Sequence, residues 1–105
     1  MRRAAALLLM AASVARADWP AEELWYKCKG CHGWEGKANT KIGAEAKIAD
    51  FTDPAWQTSR TDAAIREIIA NGSRKKDSKM KAYKGHFSDA EIDSLVPYIR
   101  AFKGK

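Results

Sequence analysis

Wherever apolar and polar residues recur with a period along this 105-residue chain, the period is helical. Leu24, Trp25 and Cys28 share one face of a segment from Ala21 to Lys29, and Glu22 and Glu23 lie in its first turn, where acidic groups suit the helix dipole. Asp53 before Pro54 reads as a cap followed by proline at the first helical position, opening a short helix through Trp56 and Gln57. Thr61 caps a further helix with the stripe Ile65, Ile68 and Ile69, and Asn71-Gly72 ends it. Ser88 and Glu91 form a capping box, with Phe87 and Ile92 placed as a hydrophobic staple. Ile92, Leu95, Val96, Ile99 and Phe102 then face one way, and Pro97 predicts a bend because it removes the amide that would bond to Asp93. No alternating run is long enough for a strand, so the expected class is all-α with three to five helices.

The first seventeen residues follow another pattern. Arg2 and Arg3 precede an apolar run of eleven residues, Ala4 to Val14. That is short of the ~20 residues needed to span a bilayer as a helix. Ala15-Arg16-Ala17 then forms a small-x-small cleavage site. Residues 1–17 therefore read as a cleaved secretory signal and 18–105 as one domain, exported to a bacterial periplasm without stable membrane insertion. An uncleaved anchor is the alternative. The residues after Arg3 lack the pattern of the twin-arginine route.

Removing the signal also alters the charge. Loss of Arg2, Arg3 and Arg16 lowers Lys plus Arg from 19 to 16 against 13 Asp plus Glu, so the formal charge falls from +6 to +3. With no basic run interleaved with aromatics, nucleic-acid binding is excluded. A domain this small buries a limited core, so a prosthetic group that needs the folded pocket would contribute to folding itself.

Cys28-Lys29-Gly30-Cys31-His32 supplies the chemistry. Two thiols three positions apart can add to the two vinyl groups of one haem, and the imidazole that follows can bind its iron. A thioredoxin-like pair would need a βαβ context, and a zinc site would need further ligands. Cys28 and Cys31 are the sole cysteines and His86 the sole other histidine. Met80, 48 positions beyond His32, is the one methionine outside the signal. A thioether is a soft ligand that raises the reduction potential relative to a second imidazole. The neighbouring Lys79 and Lys81 argue against a mere core filler, while His86 is the rival ligand. Trp34 and Trp56 are candidate contacts to the haem or its propionates.

Three segments, Cys28 to His32, Thr61 to Gly72 and Met80 to Phe102, resemble those of the class I cytochromes c, the small bacterial monohaem type, and the likeness extends over nearly all of residues 18–105. It implies a small cytochrome c fold around one haem c, attached through Cys28 and Cys31 and ligated by His32 and Met80. It also implies that Tyr83, three residues after the methionine, packs near the haem, and that Asp50 to Gln57 lines the propionate side. The implied function is transfer of single electrons between larger redox proteins by a monomer that is not itself catalytic. Lys27, Lys29, Lys79, Lys81 and Lys84 would form a positive docking ring. A haem with a labile distal ligand, acting as a gas or peroxide sensor or a peroxidase-like enzyme, is the alternative. The chain departs from the family at Gly43, followed by Ala44 where many relatives have proline, and at Lys81, where proline is common. Leu24 stands where many relatives have an aromatic. The reading expects a backbone carbonyl near Ile42 to Ala44 to accept the His32 ring N–H.

Overall fold

A computed structural model describes residues 17–76 and 78–105. These residues form six α-helices and no strand: α1 (Ala21–Leu24), α2 (Lys29–His32), α3 (Lys41–Glu45), α4 (Pro54–Ser59), α5 (Asp62–Asn71) and α6 (Asp89–Arg100). The all-α expectation holds, with six helices because two single turns around the thiol motif count separately. The expected signal, residues 1–17, lies outside the described residues save for its last position.

Local hydrogen bonds set most helix starts. The Asp53 carboxylate accepts from the Ala55 amide and the Thr61 hydroxyl from that of Ala64. Ser88 accepts from the Glu91 amide while the Glu91 carboxylate accepts from the Ser88 amide, so the capping box is closed. The Ala21–Lys29 segment is not one helix. It tightens into a 3-10 turn at Trp25–Lys27 and restarts at Lys29. Helix α6 continues through Pro97 to Arg100.

Helix α6 is the spine of the core. Ile92, Leu95, Val96 and Ile99 bury one face against Leu24, Trp25, Phe51, Ile65, Ile69 and Tyr83. Ile68 departs from its expected stripe and faces solvent. Two hydrogen bonds tie the segment before α1 to the start of α6: Asp18 accepts from the Ser88 hydroxyl, and the Trp19 amide donates to buried Glu91. Arg100 reaches back to Gln57, Arg60 and Asp62.

Candidate haem-binding site

The thiol motif occupies a helical turn in which the His32 amide donates to the Cys28 carbonyl at 2.9 Å. Residues four apart share a face, so the turn brings Cys28 and His32 to one side. Both thiols are free and half-buried. Burial, and then the neighbouring Cys31, push the Cys28 thiol up to about 11, so it is held protonated. Trp25, fully buried, anchors the end of the turn through its indole N–H, which donates to the Gly33 carbonyl at 3.0 Å.

A loop then folds back over the motif. The Thr40 hydroxyl donates to the Cys31 carbonyl at 2.8 Å and accepts from the Gly43 amide at 2.8 Å, and the Ala38 amide donates to the His32 carbonyl. Gly43 is required because a Cβ there would overlap the Ala38 carbonyl oxygen and stand 2.9 Å from that of Cys31. Beneath this loop His32 stacks on Phe51, centroids 4.8 Å apart and planes 25° apart, with Trp25 at 5.9 Å. Burial lowers the imidazole to about 4, which keeps it neutral and able to bind a metal.

The carbonyl expected to orient that ring does so nowhere among the described residues. His32 Nδ1 is buried and has no hydrogen-bond partner there. Ile42, Gly43 and Ala44 point their carbonyls at the amides of Ala46, Ile48 and Lys47 instead. The reason is local: Ala44 has the amide a proline would lack, it donates to the Thr40 carbonyl, and residues 41–45 close into α3.

The second half of the site comes from the loop after α5. Gly72, at φ 79°, lets this loop run close beneath the helix end, for a Cβ there would lie 3.0 Å from the Met80 carbonyl oxygen. The Ser73 amide donates to that carbonyl, while Tyr83 and Lys84 donate to Ile69 and Ala70. Met80 is half-buried and packs against the core. Tyr83 is buried, its hydroxyl donates to the Lys27 carbonyl at 3.4 Å, and burial followed by the fields of Cys28 and Cys31 raises its pKa. The Met80–Tyr83 loop and the thiol turn are thus brought together.

The remaining candidates divide. Trp56 touches Phe51 at 4.6 Å and carries Arg60 over its face, so it joins the His32 side. Trp34 is exposed and packs edge-on to Tyr26, and His86 is exposed beside Tyr83. Of the lysines, Lys27, Lys79, Lys81 and Lys84 are exposed and Lys29 lies over Trp34. Sequence reasoning did not single out Phe51 as the partner of His32, nor Gln57 as the buried donor that holds it. An aromatic two residues before the Asp53 cap is the available signal.

Among the described residues no three of His, Cys, Asp and Glu gather as a metal cluster. A pair of free thiols, a neutral imidazole beside them and a thioether on the apposed loop are a donor set that fits a covalently attached haem. Fold and site together define a class I c-type cytochrome. Residues 21–99 match the family model described as cytochrome c oxidase, cbb3-type, subunit III, and the chain belongs to that family.

Two cbb3-type cytochrome c oxidase FixP subunits are each 30% identical to the chain. That of Bradyrhizobium diazoefficiens aligns over 77 residues, 73% of this chain and 24% of the relative; that of Azorhizobium caulinodans aligns over 84 residues, 80% and 26%. The chain therefore spans about a quarter of these curated relatives. Among solved structures, the KustC0563 c-type cytochrome superposes with a TM-score of 0.72 at 31% identity, covering 81% of this chain and 99% of that one. The dihydro-heme d1 dehydrogenase NirN superposes at 0.57 and 25% identity, over 78% of this chain and 16% of NirN. Among the described residues no helix is long and apolar enough to cross a membrane.

Proposed function

We propose that this chain is a periplasmic one-electron carrier domain whose haem c is bound through Cys28 and Cys31 and ligated by His32 and Met80. The observation that carries the reading is the apposition of the Met80–Tyr83 loop and the thiol turn, fastened where Tyr83 meets the Lys27 carbonyl. A haem held this way supplies an iron couple that takes up and releases one electron, at a potential raised by the thioether.

The protein's residues have separate tasks in this scheme. Cys28 and Cys31 hold the group covalently, His32 offers a neutral nitrogen, and the Gly72 turn fixes where Met80 can reach. Trp56, packed on Phe51 beside His32, and Tyr83, bonded to the thiol turn, are the aromatic neighbours of the two candidate ligands. Exposed Lys27, Lys79, Lys81 and Lys84, with Lys29, favour encounter with an acidic redox protein. The carrier acts as a monomer and does not itself turn over a substrate.

The test is the optical spectrum of ferric protein made with haem-maturation machinery, wild type against Met80→Ala. A weak far-red sulfur-to-iron band should be present in wild type and lost in the variant. A wild type without the band that binds carbon monoxide rapidly when reduced would overturn the carrier reading in favour of a labile-ligand sensor or peroxidase.

A further inference from the structure

Metal-bound histidines ordinarily donate their second ring nitrogen to an acceptor, which fixes the ring plane and strengthens the ligand. His32 is placed by other means. Its Nδ1 is buried with no partner among the described residues, and the nearest expected carbonyls are taken up within and just beyond α3. What meets the ring instead is the face of Phe51, 4.8 Å away and 25° from parallel, with Trp25 beside it.

Phe51 is itself held on every side. Its amide donates to the Gly36 carbonyl at 2.8 Å, its carbonyl accepts from Gln57 Nε2 at 2.7 Å, and its ring meets Trp56 at 4.6 Å. Gln57 is buried and also donates to the Ile99 carbonyl at 3.0 Å and accepts from Arg100 at 3.0 Å. The imidazole plane is therefore referred, through Phe51 and Gln57, to α6.

We propose that Phe51 is the positioning residue for the His32 ligand, fixing its plane by stacking in place of a hydrogen bond at Nδ1. The proposal rests on the reading of His32 as a haem ligand. An imidazole lacking a strong acceptor is the less basic donor, so the reduction potential stands above that of a variant given one.

The experiment is proton NMR of the ferric holoprotein, in which the spread of haem methyl shifts reports the plane of the axial ring. Phe51→Leu should rearrange the methyl shifts, Gln57→Met should move them in the same sense by less, and Phe51→Tyr, which keeps a flat ring, should restore the wild-type pattern. Phe87→Leu, which perturbs the core on the Tyr83 side, should leave the pattern in place while lowering the melting temperature. In the ferrous protein the Nδ1 proton should resonate at the position of a free rather than hydrogen-bonded imidazole N–H. Unchanged methyl shifts in folded Phe51→Leu, or a strongly deshielded Nδ1 proton, would overturn the proposal and leave the haem reading intact. Absence of covalent haem by mass in wild type would overturn both.

Discussion

Replacing Gly43 by alanine tests how the loop after His32 is built. The added Cβ would overlap the Ala38 carbonyl oxygen and lie 2.9 Å from the Cys31 carbonyl oxygen. Both are backbone atoms, so no side-chain rotation relieves the crowding; the loop or the thiol turn must move. Movement strains the Thr40 clamp, with its two 2.8 Å bonds to Cys31 and Gly43, and the Ala38 bond to His32. Overpacking costs ~1–3 kcal/mol and the loss of one of these three hydrogen bonds about 1 kcal/mol, which places the loss at roughly 2–4 kcal/mol. For a domain of this size each kcal/mol is ~4–8 °C, so the melting temperature should fall by about 8–32 °C. The assay is thermal unfolding of the haem-loaded protein, followed by haem absorbance and far-ultraviolet circular dichroism. Gly30→Ala is the control. Nothing lies within 4 Å of its Cβ position, and in the helical turn alanine should be neutral or stabilising by up to ~1 kcal/mol. A Gly43→Ala protein melting within about 2 °C of wild type, under ~0.5 kcal/mol, would refute the close-packed loop.

Two further outcomes are expected from other parts of the molecule. Glu91→Gln leaves one amide carbonyl oxygen in place of the two carboxylate oxygens that accept from the Ser88 and Trp19 amides, and should cost ~1–2 kcal/mol in a urea titration; an unchanged midpoint would mean that the N-terminal segment is not fastened to α6. The raised Tyr83 pKa means that the native state keeps this phenol neutral where the unfolded chain ionises it. Stability from this group is then complete below about pH 10 and falls as pH rises through the tyrosine range. Tyr83→Phe should flatten that alkaline decline, and an equal decline in the variant would assign it to other groups.

The parts of the fold legible in the sequence are those decided within four residues. Asp53, Thr61 and the Ser88–Glu91 pair each cap the helix they were expected to cap, because a short side chain and a nearby amide settle the matter locally. The α6 stripe was legible for the same reason, since periodicity alone places Ile92, Leu95 and Ile99 on one face. Ile68 shows the limit. Its spacing fits the α5 stripe, yet packing buries Ile65 and Ile69 and leaves Ile68 outward. The thiols, His32 and the Met80 loop could be named from their types and spacing. Their neighbours could not, because the stacking of Phe51 on His32 depends on how a loop of nineteen positions folds back. The missing hydrogen bond at Nδ1 is not legible in the sequence, because Ala44 is an added amide as well as an absent proline, and that amide helps to close α3.

These two kinds of information also separate the stability of the helices from that of the site. Caps close over three or four residues, whereas the contacts that position the candidate ligands span far more of the chain. Tyr83 meets Lys27 across 56 positions, Gln57 meets Ile99 across 42, and Glu91 meets Trp19 across 72. Closing such loops costs more chain entropy than closing a helical turn, and each long contact rests on one or two hydrogen bonds worth about 1 kcal/mol apiece. Helix α6 accepts or supports most of these contacts, so the thiol turn and the Phe51 wall keep their relative placement only while both remain docked on it. A covalently held prosthetic group acts on the same loops: binding that requires both halves adds its free energy to their closure. The geometry of the ligands and the cohesion of this small core are therefore one property, carried by the contacts between α6 and segments far from it in the chain.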